Sequence, residues 1–144
     1  MQLLHNKKVG LTYSVIESMQ SGVELLGLEV KSLRKKQGSL DGGKVIIRGG
    51  EAFLVGVFIP PYQESNTPKD YDPYRTRRLL LNKSEITKIV KDEESSNLTS
   101  VPISLYIKGN HIKCDIALCK KKLKNDKRET IKKDIARREL RNAK

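Results

Sequence analysis

Three arginines and two tyrosines fall within eight residues, Tyr71-Asp72-Pro73-Tyr74-Arg75-Thr76-Arg77-Arg78. Guanidinium forks clamp phosphates and aromatic rings stack on unpaired bases, so the chemistry open to such a string is recognition of RNA. A blander reading is a solvated loop whose charges keep a sheet edge soluble. Lys31, Arg34 and Lys35, spaced along a short helical pattern, form a second candidate surface for phosphate. A third concentration of charge closes the chain: residues 120–144 hold twelve bases against four acids, net +8 out of the +12 carried by all 144 residues. So positive a chain favours a polyanionic partner.

Residues suited to catalysis are sparse. The two histidines are His5, in the N-terminal arm, and His111, just after the Gly109-Asn110 turn, where a surface role is the commoner fate of an imidazole. No nucleophile elbow, Gly-rich phosphate loop, H-E-x-x-H or C-x-x-C occurs. Cys114 and Cys119 are separated by an odd number of positions, which on a strand points them to opposite faces and suits neither a shared metal nor a mutual disulfide. The reading is therefore a non-enzyme with no metal or cofactor. The uncharged stretch Ala52 to Gln63 is interrupted by Pro60-Pro61 and is shorter than the roughly 20 apolar residues of a spanning helix. The N-terminal residues lack the pattern of a secretory signal, so a cytoplasmic location and no membrane partner are expected.

The elements that would position these residues read mostly as strands. Val45–Ile47 and Phe53–Ile59 flank Gly49-Gly50, a two-residue hairpin signal. Ile103, Leu105 and Ile107 alternate with polar residues up to Gly109-Asn110, and Ile112, Cys114, Ile116 and Leu118 continue the alternation beyond it, which predicts a second hairpin. Tyr13–Met19 and Val23–Val30, around Gln20-Ser21-Gly22, read as a third. Glu29–Gln37 reads as a helix stopped by Gly38, and Asn82 followed by Glu85 marks the start of another whose apolar face is Ile86, Ile89 and Val90. Gln63–Arg78 reads as a long loop, a length that is usually functional or disordered. The fold class is mainly β: a small antiparallel, OB-like barrel of about six strands with two or three short helices, over residues 1–119. Residues 120–144 read as a basic tail. Its i,i+4 pairs, Glu129 with Lys133 and Asp134 with Arg138, are worth about 0.3 to 0.5 kcal/mol each, too little to hold a helix without a partner.

Read in order, these pieces resemble a known family. Asn6-Lys7-Lys8 and Tyr13, then Gly27-Leu28-Glu29-Val30-Lys31-Ser32-Leu33-Arg34, Phe53-Leu54-Val55-Gly56 running to Pro61-Tyr62, Asp72-Pro73-Tyr74-Arg75-Thr76-Arg77-Arg78-Leu79-Leu80-Leu81, and Asn125-Asp126-Lys127-Arg128-Glu129 are similar to the SmpB family of SsrA-binding proteins of bacterial trans-translation. The resemblance implies an OB-like barrel that binds the tRNA-like domain of tmRNA. It also implies a tail that becomes helical in the empty mRNA channel of a stalled ribosome, beyond the small-subunit decoding centre, with elongation factor Tu an indirect partner through the aminoacylated tmRNA. It marks Asn6, Lys7, Lys8, Tyr13, Lys31, Arg34, Arg75, Arg77 and Arg78 as residues that contact the RNA or shape that surface, with Glu29 orienting nearby bases by ion pairing. In the tail it marks Lys120, Lys122, Asn125, Asp126, Lys127, Arg128, Lys132, Lys133, Arg137 and Arg141. Leu11 and Asn125 stand where the family usually carries histidine, and Gln20 where it usually carries an acid. Composition alone also allows a structural ribosomal protein whose basic extension threads rRNA.

Overall fold

A computed structural model describes residues 2–62 and 68–122. Seven strands, β1 (Gln2–His5), β2 (Tyr13–Val23), β3 (Lys44–Arg48), β4 (Glu51–Val55), β5 (Arg77–Leu80), β6 (Thr99–Lys108) and β7 (His111–Lys121), form one sheet. Their spatial order is β1-β6-β7-β2-β5-β4-β3, and every neighbouring pair is antiparallel. Three helices, α1 (Val9–Thr12), α2 (Gly27–Arg34) and α3 (Lys83–Ser96), complete the described residues. The sheet curls until β3, at one end, packs beside β6, near the other.

Two predicted hairpins form where the residue pattern demands them. At Gly49 and Gly50 φ is +59° and +76°, the left-handed pair a type I′ turn needs, and Arg48 pairs with Glu51 across it. In the second, Lys108 pairs with His111 and the ladder runs back to Thr99 opposite Cys119. Cys114 then packs in the main core with Leu33, Leu54, Leu105 and Ile116, and Cys119 in a smaller cluster with Val9, Val101 and Ala117. Both thiols are free and buried, on opposite sides of β7. Asn82 caps α3 reciprocally: its Oδ1 accepts from Glu85 N–H at 2.9 Å, and Glu85 Oε1 accepts from Asn82 N–H at 3.0 Å.

Four expectations are corrected. The hairpin over residues 13–30 does not exist: β2 runs unbroken through Ser21-Gly22, because Gly22 is flanked on both sides, by Leu80 of β5 and Lys113 of β7, so the ladder continues where a turn was read. The residues after it enter α2, whose first turn is held by Glu29 Oε1 accepting from Leu26 N–H at 2.7 Å. That helix ends at Arg34 with Lys36 left-handed at φ +58°. Gly38 serves packing instead: a Cβ there would lie 2.7 Å from Phe58 O, where Ser39 and Phe58 form an isolated bridge. β4 stops at Val55, short of Ile59, and β1 is a seventh strand, too short at four residues to show a period, although Leu3 and Leu4 enter the core.

Candidate nucleic-acid interface

Glu29 sits in the first turn of α2 with its side chain wholly out of solvent. A carboxylate there is tolerated only if its charge and lone pairs are fully matched. Arg75 approaches in a fork, Nη2 to Oε1 at 2.5 Å and Nε to Oε2 at 3.0 Å, and Arg77 donates from Nε to Oε2 at 2.8 Å. Arg77 is itself 0% exposed and spends its remaining donors on Val57 O (2.8 Å) and Pro73 O (3.0 Å). The Tyr71 hydroxyl lies 2.7 Å from Ile59 O and 3.1 Å from Glu29 Oε2. Burial pushes the Glu29 carboxyl up, but the hydrogen bonds from Arg75, Leu26 N–H and Arg77 outweigh it and hold the group below its ordinary value. Burial, and then the Glu29 charge, push the Tyr71 phenol up. One carboxylate against two guanidiniums leaves the cluster with a residual positive charge.

This cluster fastens three segments together. Ser32 Oγ donates to Pro60 O at 2.6 Å and Ile59 N–H to Pro73 O at 3.0 Å, so α2, residues 57–60 and residues 71–77 are anchored as one unit. The outward side of α2 then presents Lys31, Arg34 and Lys35 to solvent, with Lys31 Nζ 5.9 Å from the Tyr62 ring centroid. Tyr74, exposed, tilts against Phe58 with ring centroids 5.2 Å apart.

The arginine string is therefore not a row of three phosphate clamps. Arg77 cannot reach a phosphate, since no part of it meets solvent; it shapes the surface from within. Arg75, 28% exposed, is largely occupied by Glu29. Arg78 is exposed, lying 3.1 Å from Glu51 and 3.8 Å from Glu24. Tyr71, half-buried, turns its hydroxyl into the cluster. Asn6 is likewise corrected as a direct contact: it is buried, and its Nδ2 donates to Pro102 O at 3.1 Å and Leu40 O at 3.4 Å.

The remaining residues gather into two groups. Lys31 and Arg34 lie on α2; Lys7 and Lys8 are exposed, Lys8 beside Asp41 at 3.8 Å, near half-buried Tyr13. Tyr13 pairs with Lys121 and Ser14 with Lys120, so the second group surrounds the end of β7. Lys120 thus belongs to the sheet, and Lys122 N–H donates to Thr12 O at 2.9 Å, which moves the boundary of the folded body past residue 119. Asn125, Asp126, Lys127, Arg128, Lys132, Lys133, Arg137 and Arg141 lie outside the described residues. Among the described residues no group of His, Cys, Asp and Glu could hold a metal ion, and no helix is long and apolar enough to cross a membrane. Glu29 does orient basic residues by ion pairing, as the resemblance implies, and its partners are Arg75 and Arg77; that they come from 46 and 48 positions along the chain had no signal in the sequence.

A family model described as SmpB protein matches residues 3–144. An SsrA-binding protein of Mesoplasma florum is 46% identical over 137 residues, spanning 94% of this chain and 92% of its own. One from Microcystis aeruginosa is 41% identical over 135 residues, spanning 94% of this chain and 88% of its own. Among solved structures, a chain from "tmRNA-SmpB: a journey to the center of the bacterial ribosome" superposes with a TM-score of 0.71 at 30% identity, covering 91% of this chain and 95% of that one. With motifs and sheet agreeing over nearly the whole length, the chain belongs to the SmpB family.

Proposed function

We propose that this protein is a tmRNA-binding adaptor of trans-translation. Its curled sheet, with α2, grips the tRNA-like domain of tmRNA, and the segment after Lys122 senses an empty mRNA channel at the decoding centre of a stalled ribosome. Elongation factor Tu takes part through the aminoacylated RNA, and the protein itself performs no bond-making step. The observation that carries this reading is the family match across residues 3–144, which includes the basic terminal segment. The geometry supports it: α2 holds Lys31, Arg34 and Lys35 outward on a base that itself keeps a positive charge.

The test separates body from tail. Full-length protein should bind the tRNA-like RNA with a log-log salt slope of about −0.7 to −0.9 per phosphate contact. Deleting residues 123–144 should leave that binding in place and abolish peptide transfer to tmRNA on ribosomes lacking a stop codon. Loss of RNA binding on deletion would refute the division of labour. Retention on every small subunit through a high-salt wash would favour a structural ribosomal protein instead.

A further inference from the structure

α3 packs into the body through Ile89, which is fully buried, and turns a second stripe, Ile86 and Val90, toward Ile47 of β3. A groove of about 630 Å³ runs between helix and strand, and these three half-buried side chains are its apolar lining. Glu94 lines it where α3 ends, next to Asp92 and Glu93, and Lys91 is the one base among the lining residues. Acids at the C-terminus of a helix oppose its dipole, and the last turn of α3 carries no basic residue. Asp92 is matched by Lys88 at 3.3 Å, and Glu93 accepts from Ser100 Oγ at 2.8 Å. Exposed Glu94 has no ion pair among the described residues.

We propose that this groove is the resting place of the chain's own basic terminal segment, residues 123–144, which stays there until a denser polyanion draws it off. The proposal adds regulation to the tail named in the proposed function and rests on that reading for what the docking holds back. The antiparallel ladder sets Thr99, three residues beyond the end of α3, opposite Cys119, so β7 delivers the segment beside the acidic end of the helix. Its 22 residues could span about 70 Å if extended, whereas the 14 residues of α3 cover about 21 Å; reach sets no limit. Nine bases against four acids in the segment complement the acids of α3, and Ile131 and Ile135 repeat the four-residue spacing of Ile86 and Val90. The groove has too few converging polar groups to orient a small molecule, and the unpaired carboxylate of Glu94 disfavours phosphate. Exposed ion pairs are individually weak and screened by salt, so the segment leaves readily for ribosomal RNA. While docked, it cannot enter an mRNA channel or cling to stray RNA.

The test uses the full chain with Asn142→Cys carrying a nitroxide; Cys114 and Cys119 are buried and stay unlabelled. The nitroxide should weaken the amide resonances of Ile47 and Ile86–Ser95 and spare Gly109 and Asn110, at the far end of the β6–β7 ladder. Glu94→Lys, which suits the helix dipole better and so keeps the fold, and Val90→Ser should each restore most of the lost intensity. So should about 1 M salt, where charges are screened beyond about 3 Å, and a single-stranded homopolymer RNA. Equal weakening at Gly109, or weakening on α3 that both variants leave unchanged, overturns the docking. Weakening that appears on label-free chains mixed with labelled ones places a second copy in the groove and overturns it too. Weakening that persists with the RNA present overturns the release. All of these are read without tmRNA or ribosomes, so a wild type that fails to bind the tRNA-like RNA would overturn the proposed function and not the docking.

Discussion

Replacing Glu29 by glutamine tests the central cluster most directly. The substitution keeps the shape but removes the charge that neutralises Arg77, which cannot turn to water because it is 0% exposed. Breaking a buried pair from one side costs about 3–5 kcal/mol. Arg75 adds little, since it is 28% exposed and can swing outward. Against a total stability of about 5–15 kcal/mol, that loss should lower Tm by roughly 10–20 °C for a body of this size. Urea unfolding followed by circular dichroism gives the number directly. The penalty should also depend on pH. The folded carboxyl is held below its ordinary value, so the unfolded chain takes up its proton first as pH falls. The wild-type advantage is then complete above the unfolded value near 4.5 and disappears as pH drops through the folded one. A double variant, Glu29→Leu with Arg77→Met, should recover much of the loss, because a matched apolar pair leaves no buried charge behind. A cost for Glu29→Gln under about 1 kcal/mol at pH 7, the range of a surface pair, would refute the reasoning.

Other expectations follow from the same geometry. Arg77→Met should weaken RNA binding at a temperature where the variant remains folded, yet leave the salt slope unchanged, since its guanidinium lies inside; a slope lowered by about one would show that it reaches phosphate after all. Burial pushes the Cys114 thiol up to about 12 and that of Cys119 to about 11, so iodoacetamide at pH 8 should label neither in the native protein and both in urea; rapid native labelling, read by mass spectrometry, would contradict the packing. Asn82→Ala removes the acceptor for Glu85 N–H and should cost about 1 kcal/mol in urea unfolding, with no change in RNA affinity.

What was legible in the sequence was local. The hairpins at Gly49-Gly50 and Gly109-Asn110, the Asn82 cap and the opposed cysteines follow from turn chemistry and a period of two, which act over a few residues. The excess charge of residues 120–144 and the colinear motifs likewise needed no coordinates. The arginine string was misread for the converse reason: whether a guanidinium faces water or a carboxylate depends on what the fold brings from far along the chain. Arg77 meets Glu29 across 48 positions, and Gly22 lies inside a strand because β5 and β7 arrive on either side of it. Composition supplied the cations. Burial decided which of them were consumed in holding α2 in place and which, like Lys31 and Arg34, were left facing outward.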